Sequence, residues 1–198
     1  MIKISNAKTK LFICLAYYAG LRESEALQLR WTDIDYDSNC IWVNHNPSNG
    51  QRTKSRKTRQ AVLTSDIKLS LEEWNMESPE SEWIFPAPSN SGEHQKRIKF
   101  ALDNAYRKAG IDPCGAPAHN LRHCFGTSLA ENGCSAATIQ VLMGHSDIRT
   151  SSRYLHPSFE AAITEFKNKS STYKPPKFEN HRFFAPELRV INGGLSGT

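Results

Sequence analysis

The chain has 198 residues, enough to bury a sizeable core as one domain with a tail, and its 38% apolar and 23% charged content is ordinary for a soluble globular protein that folds without staples. Twenty-five Lys and Arg against 20 Asp and Glu leave a formal charge of +5, a modest excess that signals a polyanionic partner only where it is clustered. Five cysteines, an odd number with no Cys-x-x-Cys pair and no secretory leader, exclude a disulfide framework and point to reduced thiols in a cytosol.

The longest apolar stretch, Leu11 to Ala19, is far short of a membrane span and reads as part of a buried helix from about Asn6 to Ala19, stopped by Gly20. A second helix begins near Arg22 and turns Ala26, Leu27 and Leu29 inward, so Arg22 stands at a helix start. Glu23 suits the positive end of that helix dipole, and Glu25, one turn on, either does the same or orients Arg22. Next, Cys40-Ile41-Trp42-Val43-Asn44 is β-rich, Asn49-Gly50 is a turn signal, and Arg59-Gln60-Ala61-Val62-Leu63 reads as a returning strand. Together they predict a small antiparallel sheet with Lys54 near its tip. The positive charge is concentrated there: no acidic residue occurs from Val43 to Ser65, while Arg52, Lys54, Arg56, Lys57 and Arg59 crowd into eight positions.

Helices are expected from Ser65 to Met76 and from Glu93 to Ala109, with Trp83-Ile84-Phe85 as a buried connector and Asn90-Ser91-Gly92 as the intervening turn. Pro117 precedes a helix from about His119 to Glu131, ended by Asn132-Gly133, and Ser135 caps another that stops at Gly144. A short helical piece carries Tyr154. Pro157 and Ser158 then start a helix through Phe166, with Phe159, Ile163 and Phe166 on one stripe. Beyond Ser170 the sequence, rich in Pro, Gly, Asn and Ser, has no periodicity. The expected architecture is mainly α with a small antiparallel β-sheet, an α+β fold over residues 1–170 followed by a tail over 171–198.

Three local contexts stand out: Gly-Leu-Arg22-Glu-Ser-Glu, His119-Asn-Leu-Arg122-His, and Gly-His145 followed nine residues later by Tyr154. From about Lys8 to Phe166 the pattern resembles the catalytic domain of the tyrosine recombinase, or phage integrase, family. The resemblance implies the DNA breaking-rejoining fold and a site-specific recombinase that cleaves and rejoins DNA strands through a 3′-phosphotyrosyl intermediate. Such a reaction requires a nucleophile, charge neutralisation at the non-bridging oxygens and an acid for the departing 5′ oxygen.

Tyr154 resembles the nucleophile of that family, and His119 the base that takes its proton. Arg22 and Arg122 suit phosphate clamping, because a planar guanidinium donates two parallel bonds and keeps its charge. Lys54 resembles the hairpin lysine that protonates the leaving oxygen, with Lys57 as its competitor. His145 follows Leu142-Met143-Gly144, similar to the family's Leu-Gly-His segment, and would bond a non-bridging oxygen or hold Tyr154. Tyr173 is the competing nucleophile. No cofactor is implied, and no Gly-x-x-x-x-Gly-Lys-Ser/Thr phosphate loop occurs.

The implied partner is double-stranded DNA, with no membrane. Arg52, Arg56, Lys57, Arg59, Arg149 and Arg153 are the expected phosphate contacts, and Gln95, Lys96, Arg97, Lys99 and Asn104 are candidates for base reading from the Glu93 to Ala109 helix. Three rival readings stand beside this one. Cys114, His119, His123 and Cys124 supply zinc-type ligands, although Cys124 directly follows His123 and would point elsewhere on the helix. A type IB topoisomerase uses a related residue set, and a catalytically idle DNA-binding remnant would keep only the fold. Related recombinases work as a tetramer on two duplexes, the C-terminal helix docking on a neighbour or packing in cis. The family's helical core-binding domain has no counterpart before Lys8, so an excised fragment is expected over a minimal natural form. The setting implied is cytoplasmic and nucleoid-associated.

Overall fold

Helix α1 (Ala7–Tyr18) is apolar on almost every side, and a helix of that kind is stable only when other elements surround it. Asn6 caps it, Oδ1 accepting from the Thr9 amide at 2.8 Å. Leu11, Phe12, Leu15 and Ala16 are fully buried, each of the larger side chains contributing about 1.5–3 kcal/mol through removal from water. The computed structural model describes residues 6–54, 57–89, 91–112, 115–144 and 159–170. Around α1 stand the short α2 (Glu23–Leu27), a three-stranded sheet, α3 (Ser65–Glu77), α4 (Lys99–Lys108) and α5 (Pro117–Glu131). The main packing partners of α1 are α3 and α5.

The sheet has the order β1 (Ile34–Asp35), β2 (Cys40–Val43), β3 (Arg59–Val62), all antiparallel. Its register pairs Ile34 with Ile41, Ile41 with Ala61 and Val43 with Arg59. Strands β2 and β3 lie where they are expected, whereas β1 is not foreshadowed, because its two residues are too few to show a period of two. The connector Trp83-Ile84-Phe85 is buried as expected, and a bridge joins Trp83 to Arg30.

One helix differs from the expectation. α4 starts at Lys99, not Glu93, because the preceding backbone is already bonded elsewhere: Ala87 donates to the Glu93 carbonyl at 2.8 Å and Gln95 donates to the Phe85 carbonyl at 2.7 Å. Lys99 and Asn104 therefore lie on the helix, whereas Gln95, Lys96 and Arg97 precede it. α5 begins two residues before His119, with Pro117 in its first turn, where a missing amide costs nothing.

A second, smaller core joins β3 and α5 to α6 (Ala136–Met143) and α7 (Phe159–Ser170) through Val62, Phe125, Leu129, Leu142, Met143 and Phe166. Ser135 caps α6, accepting from the Thr138 amide at 3.1 Å. The Ser135 amide in turn donates to Glu165 on α7 at 3.0 Å, and the Thr138 hydroxyl donates to the same carboxylate. Within this chain, then, Ile163 and Phe166 pack in cis against that core. Among the described residues no helix is long and apolar enough to cross a membrane. Residues 171–198, including Tyr173, lie outside the described part.

Candidate active site

The site is assembled around one buried carboxylate. Arg22 occupies the N-cap of α2, and its amide donates to Glu25 Oε2 at 3.0 Å, satisfying one of the amides that open a helix. The same carboxylate receives Arg22 Nη1 at 2.6 Å and Arg59 Nη2 at 2.8 Å, with Arg122 Nη1 at 3.8 Å. The Glu25 side chain is only 1% exposed. Burial alone would raise its pKa, but the Arg59 charge and the hydrogen bonds and charge of Arg22 outweigh burial and hold the carboxyl below its ordinary value. Of the two readings of Glu25 left open by the sequence, orientation of Arg22 is the one the geometry carries.

The C-terminus of α6 supplies the other acceptors. Three successive carbonyls each take a different arginine: Leu142 from Arg59 Nη1 at 3.2 Å, Met143 from Arg122 Nη2, and Gly144 from Arg22 Nη2 at 3.3 Å. These are the carbonyls a helix leaves unpaired at its negative end, so cations gather there for a physical reason. Arg122 also donates through Nη1 to the Gly20 carbonyl. Burial and the neighbouring Arg22 lower its pKa to about 10, which leaves it cationic at neutral pH. Three guanidiniums against one carboxylate give the pocket a net positive charge suited to an anion.

Two glycines allow this closeness. Gly20 has φ +63°, and a Cβ there would lie 2.4 Å from the Phe125 ring. Gly144 has φ +61°, and a Cβ there would lie 2.3 Å from Arg59 Cδ. Both positions demand the left-handed backbone and leave no room for a side chain.

Arg22, Lys54, His119 and Arg122 line one cleft of about 430 Å³, together with Glu23, Lys99, Leu102 and residues 115–118. Glu23 does more than favour the dipole: its Oε1 accepts from the Ile98 amide at 3.1 Å and ties α2 to the start of α4. His119 and Arg122 reach the cleft from one face of α5. Burial, then the nearby His123, Arg122 and Arg22, lower the His119 pKa, so its ring is neutral and able to accept a proton at neutral pH. The His119 and His123 rings meet edge to face with centroids 4.4 Å apart.

Other expectations are met unevenly. Arg52 and Lys57 are exposed on the hairpin, and Lys57 does not line the cleft. Arg59 departs from its expected place as a surface phosphate contact, because its side chain is 12% exposed and turned onto Glu25. The sequence held a signal for this: Arg59 precedes the fully buried Ala61 by two, and alternate strand residues share a face. Cys124 donates its thiol to the Asn120 carbonyl at 2.9 Å, and burial pushes its pKa up to about 12, which does not suit a zinc thiolate. Among the described residues no group of three His, Cys, Asp or Glu could hold a metal. His145, Tyr154, Arg56, Arg149, Arg153 and Cys114 lie outside the described residues.

Residues 1–161 match the profile described as the phage integrase family. Tyrosine recombinase XerD of Brucella abortus is 36% identical over 143 residues, which are 71% of this chain and 45% of that protein. The chain spans about half the length of the curated relatives it matches. An integrase from mycobacterium phage Brujita has a similar structure, with a TM-score of 0.64 at 25% identity over 90% of this chain and 55% of its own. The XerH site-specific recombinase, solved bound to its difH substrate before cleavage, shares the fold with a TM-score of 0.59 at 23% identity, covering 88% of this chain and 49% of that one.

Proposed function

The chain belongs to the phage integrase family, and from that premise we propose that it is the catalytic domain of a site-specific recombinase that breaks and rejoins double-stranded DNA. Its catalytic domain spans residues 1–170, with 171–198 as a tail. Tyr154 attacks phosphorus, the bond to the 5′ oxygen breaks, and the strand is held as a 3′-phosphotyrosyl ester. The phenol proton passes to His119. Lys54 delivers a proton to the departing 5′ oxygen, and religation reverses both transfers. Arg22 and Arg122 neutralise the non-bridging oxygens, and His145 bonds one of them or steadies Tyr154.

The observation that carries this reading is the convergence of Arg22, Lys54, His119 and Arg122 on one cleft, from three separate parts of the sequence. In this reading cation, acid and base act on a single phosphate bound in that cleft. DNA as the partner is supported by the exposed Arg52 and Lys57 on the same connection as Lys54, and by the DNA-bound state of the similar XerH. Arg56, Arg149 and Arg153 add phosphate contacts, and the whole recombinase assembles as a tetramer on two duplexes in the nucleoid.

A nicked suicide duplex tests this directly. In the presence of chelator, the chain should form a covalent adduct on a denaturing gel, and Tyr154→Phe should abolish it. An adduct that survives Tyr154→Phe, or one that requires a divalent metal, would refute the mechanism.

A further inference from the structure

Lys54 sits on the exposed connection between β2 and β3, which is tied down at two levels. At its base, the buried Gln51 donates through Nε2 to the Gln28 carbonyl at 3.2 Å and to Asp33 Oδ2 at 2.8 Å. The Arg52 amide donates to Gln28 Oε1 at 2.6 Å. Gln28 ends α2, the helix that starts after Arg22, so the base of the lysine connection is fastened to the element that sets the arginine pocket.

At the tip, one residue, His45, joins both limbs, one through its ring and the other through its amide. The Thr53 amide donates to His45 Nδ1 at 3.0 Å, and the His45 amide donates to the Thr58 hydroxyl at 3.0 Å. The Thr53 hydroxyl closes the turn by donating to the Lys57 carbonyl at 3.1 Å and accepting from the Lys57 amide at 3.2 Å. Thr53 is 7% exposed, so its amide needs an acceptor within the protein. Because Nδ1 accepts, the ring proton resides on Nε2.

We infer that His45 is a positioning residue for Lys54: its neutral ring fixes the Thr53 peptide and thereby holds the next residue, Lys54, at the mouth of the cleft. This rests on the reading of Lys54 as the acid. An ammonium on a four-carbon stem has many rotamers. Restraint of the backbone directly before it therefore decides how often the proton donor is in place.

The test exploits the leaving group. Single-turnover adduct formation is measured on a nicked suicide duplex with the natural 5′ oxygen, and on the same duplex with a bridging 5′ sulfur. A thiolate departs without a proton, so a defect confined to leaving-group protonation disappears on sulfur. His45→Phe keeps a planar ring and loses the acceptor. It should form adduct about 10²-fold more slowly on oxygen and at the wild-type rate on sulfur, which also shows that it is folded. His45→Asn, whose Oδ1 takes the place of Nδ1, should stay close to wild type on both.

Arg122→Lys, whose defect lies at the non-bridging oxygens, should remain slow on sulfur. If Lys54→Ala is restored by sulfur and His45→Phe is not, the positioning role is overturned and the acid assignment stands. Failure of sulfur to restore Lys54→Ala overturns the acid assignment and this inference with it. A His45→Asn variant as slow as His45→Phe, or a His45→Phe variant with no defect on oxygen, overturns the role of the ring nitrogen. No adduct from the unaltered chain on either duplex overturns both readings.

Discussion

The arginine pocket and the lysine connection face the same cleft and are built in opposite ways. In the pocket, Arg122 is 3% exposed and Arg59 12%, and both are held by a buried carboxylate and by the carbonyls that end α6. On the connection, Lys54 is exposed, and the restraints fall on the backbone beside it. The difference follows from what each group does in the proposed reaction. A cation that stabilises charge on fixed oxygens gains from rigidity set before the reaction. A proton donor must approach an oxygen as it leaves, so its own side chain stays mobile while its anchor does not. The pocket thus couples stability to activity, and the connection separates them.

The largest expected effect sharpens that separation. Lys54→Ala should slow cleavage about 10²–10⁴-fold, the usual contribution of a general acid. Its urea midpoint should stay at the wild-type value, because an exposed side chain contributes little to folding. Lys57→Ala, off the cleft, should cleave normally. A large loss in Lys57→Ala with none in Lys54→Ala would reverse the assignment.

Glu25→Ala probes the pocket from the other side. It leaves Arg59 and Arg122 buried without their counter-charge, and chemical denaturation should show a loss of about 3–5 kcal/mol. Adduct formation should fail as well. A variant of wild-type stability would mean that water or the α6 carbonyls suffice for these arginines.

Gly144→Ala forces a side chain into the left-handed backbone and against Arg59. The expected cost is about 1–3 kcal/mol, read as a lower thermal midpoint. The slower cleavage that accompanies it should follow from the displaced Arg22 acceptor.

The smallest effect is one of pH. Burial and the nearby His123, Arg122 and Arg22 lower the His119 pKa, so the base form persists below the ordinary histidine value and activity should be flat from neutral pH down through about 6.5. The rate should then fall as His119 protonates. His123→Asn removes one of those charges and should move the acid limb upward. The stability sign is the same: the unfolded chain takes up this proton more readily, so acidification below about 6.5 favours unfolding at this residue. A limb that does not move with His123→Asn would assign it to another group.

Much of the molecule was legible in the sequence, and for physical reasons. The apolar run Leu11 to Ala19 had to be buried. Asn6, Ser135 and Gly144 marked helix ends through capping and left-handed backbone. The β-rich runs around Ile41 and Ala61, with the Asn49-Gly50 turn signal between them, pointed to a hairpin. Local chemistry determines each of these, and the helix start at Arg22 and the shared face of His119 and Arg122 are local too.

Other features were decided only by tertiary structure. The start of α4 moved to Lys99 because the backbone of Phe85 and Ala87 claimed the Gln95 amide and the Glu93 carbonyl, and Glu23, far away in sequence, took the Ile98 amide. Arg59, basic in a basic run, turned inward because Glu25, far away in sequence, met it across the fold. The carbonyls of Leu142, Met143 and Gly144 became arginine acceptors because α6 ends beside α2 and β3. Residue types and spacing determined which groups were available for phosphate chemistry. Only packing decided which of those cations stay accessible and which are spent on holding the others in place, because a charge takes its role from its neighbours in space.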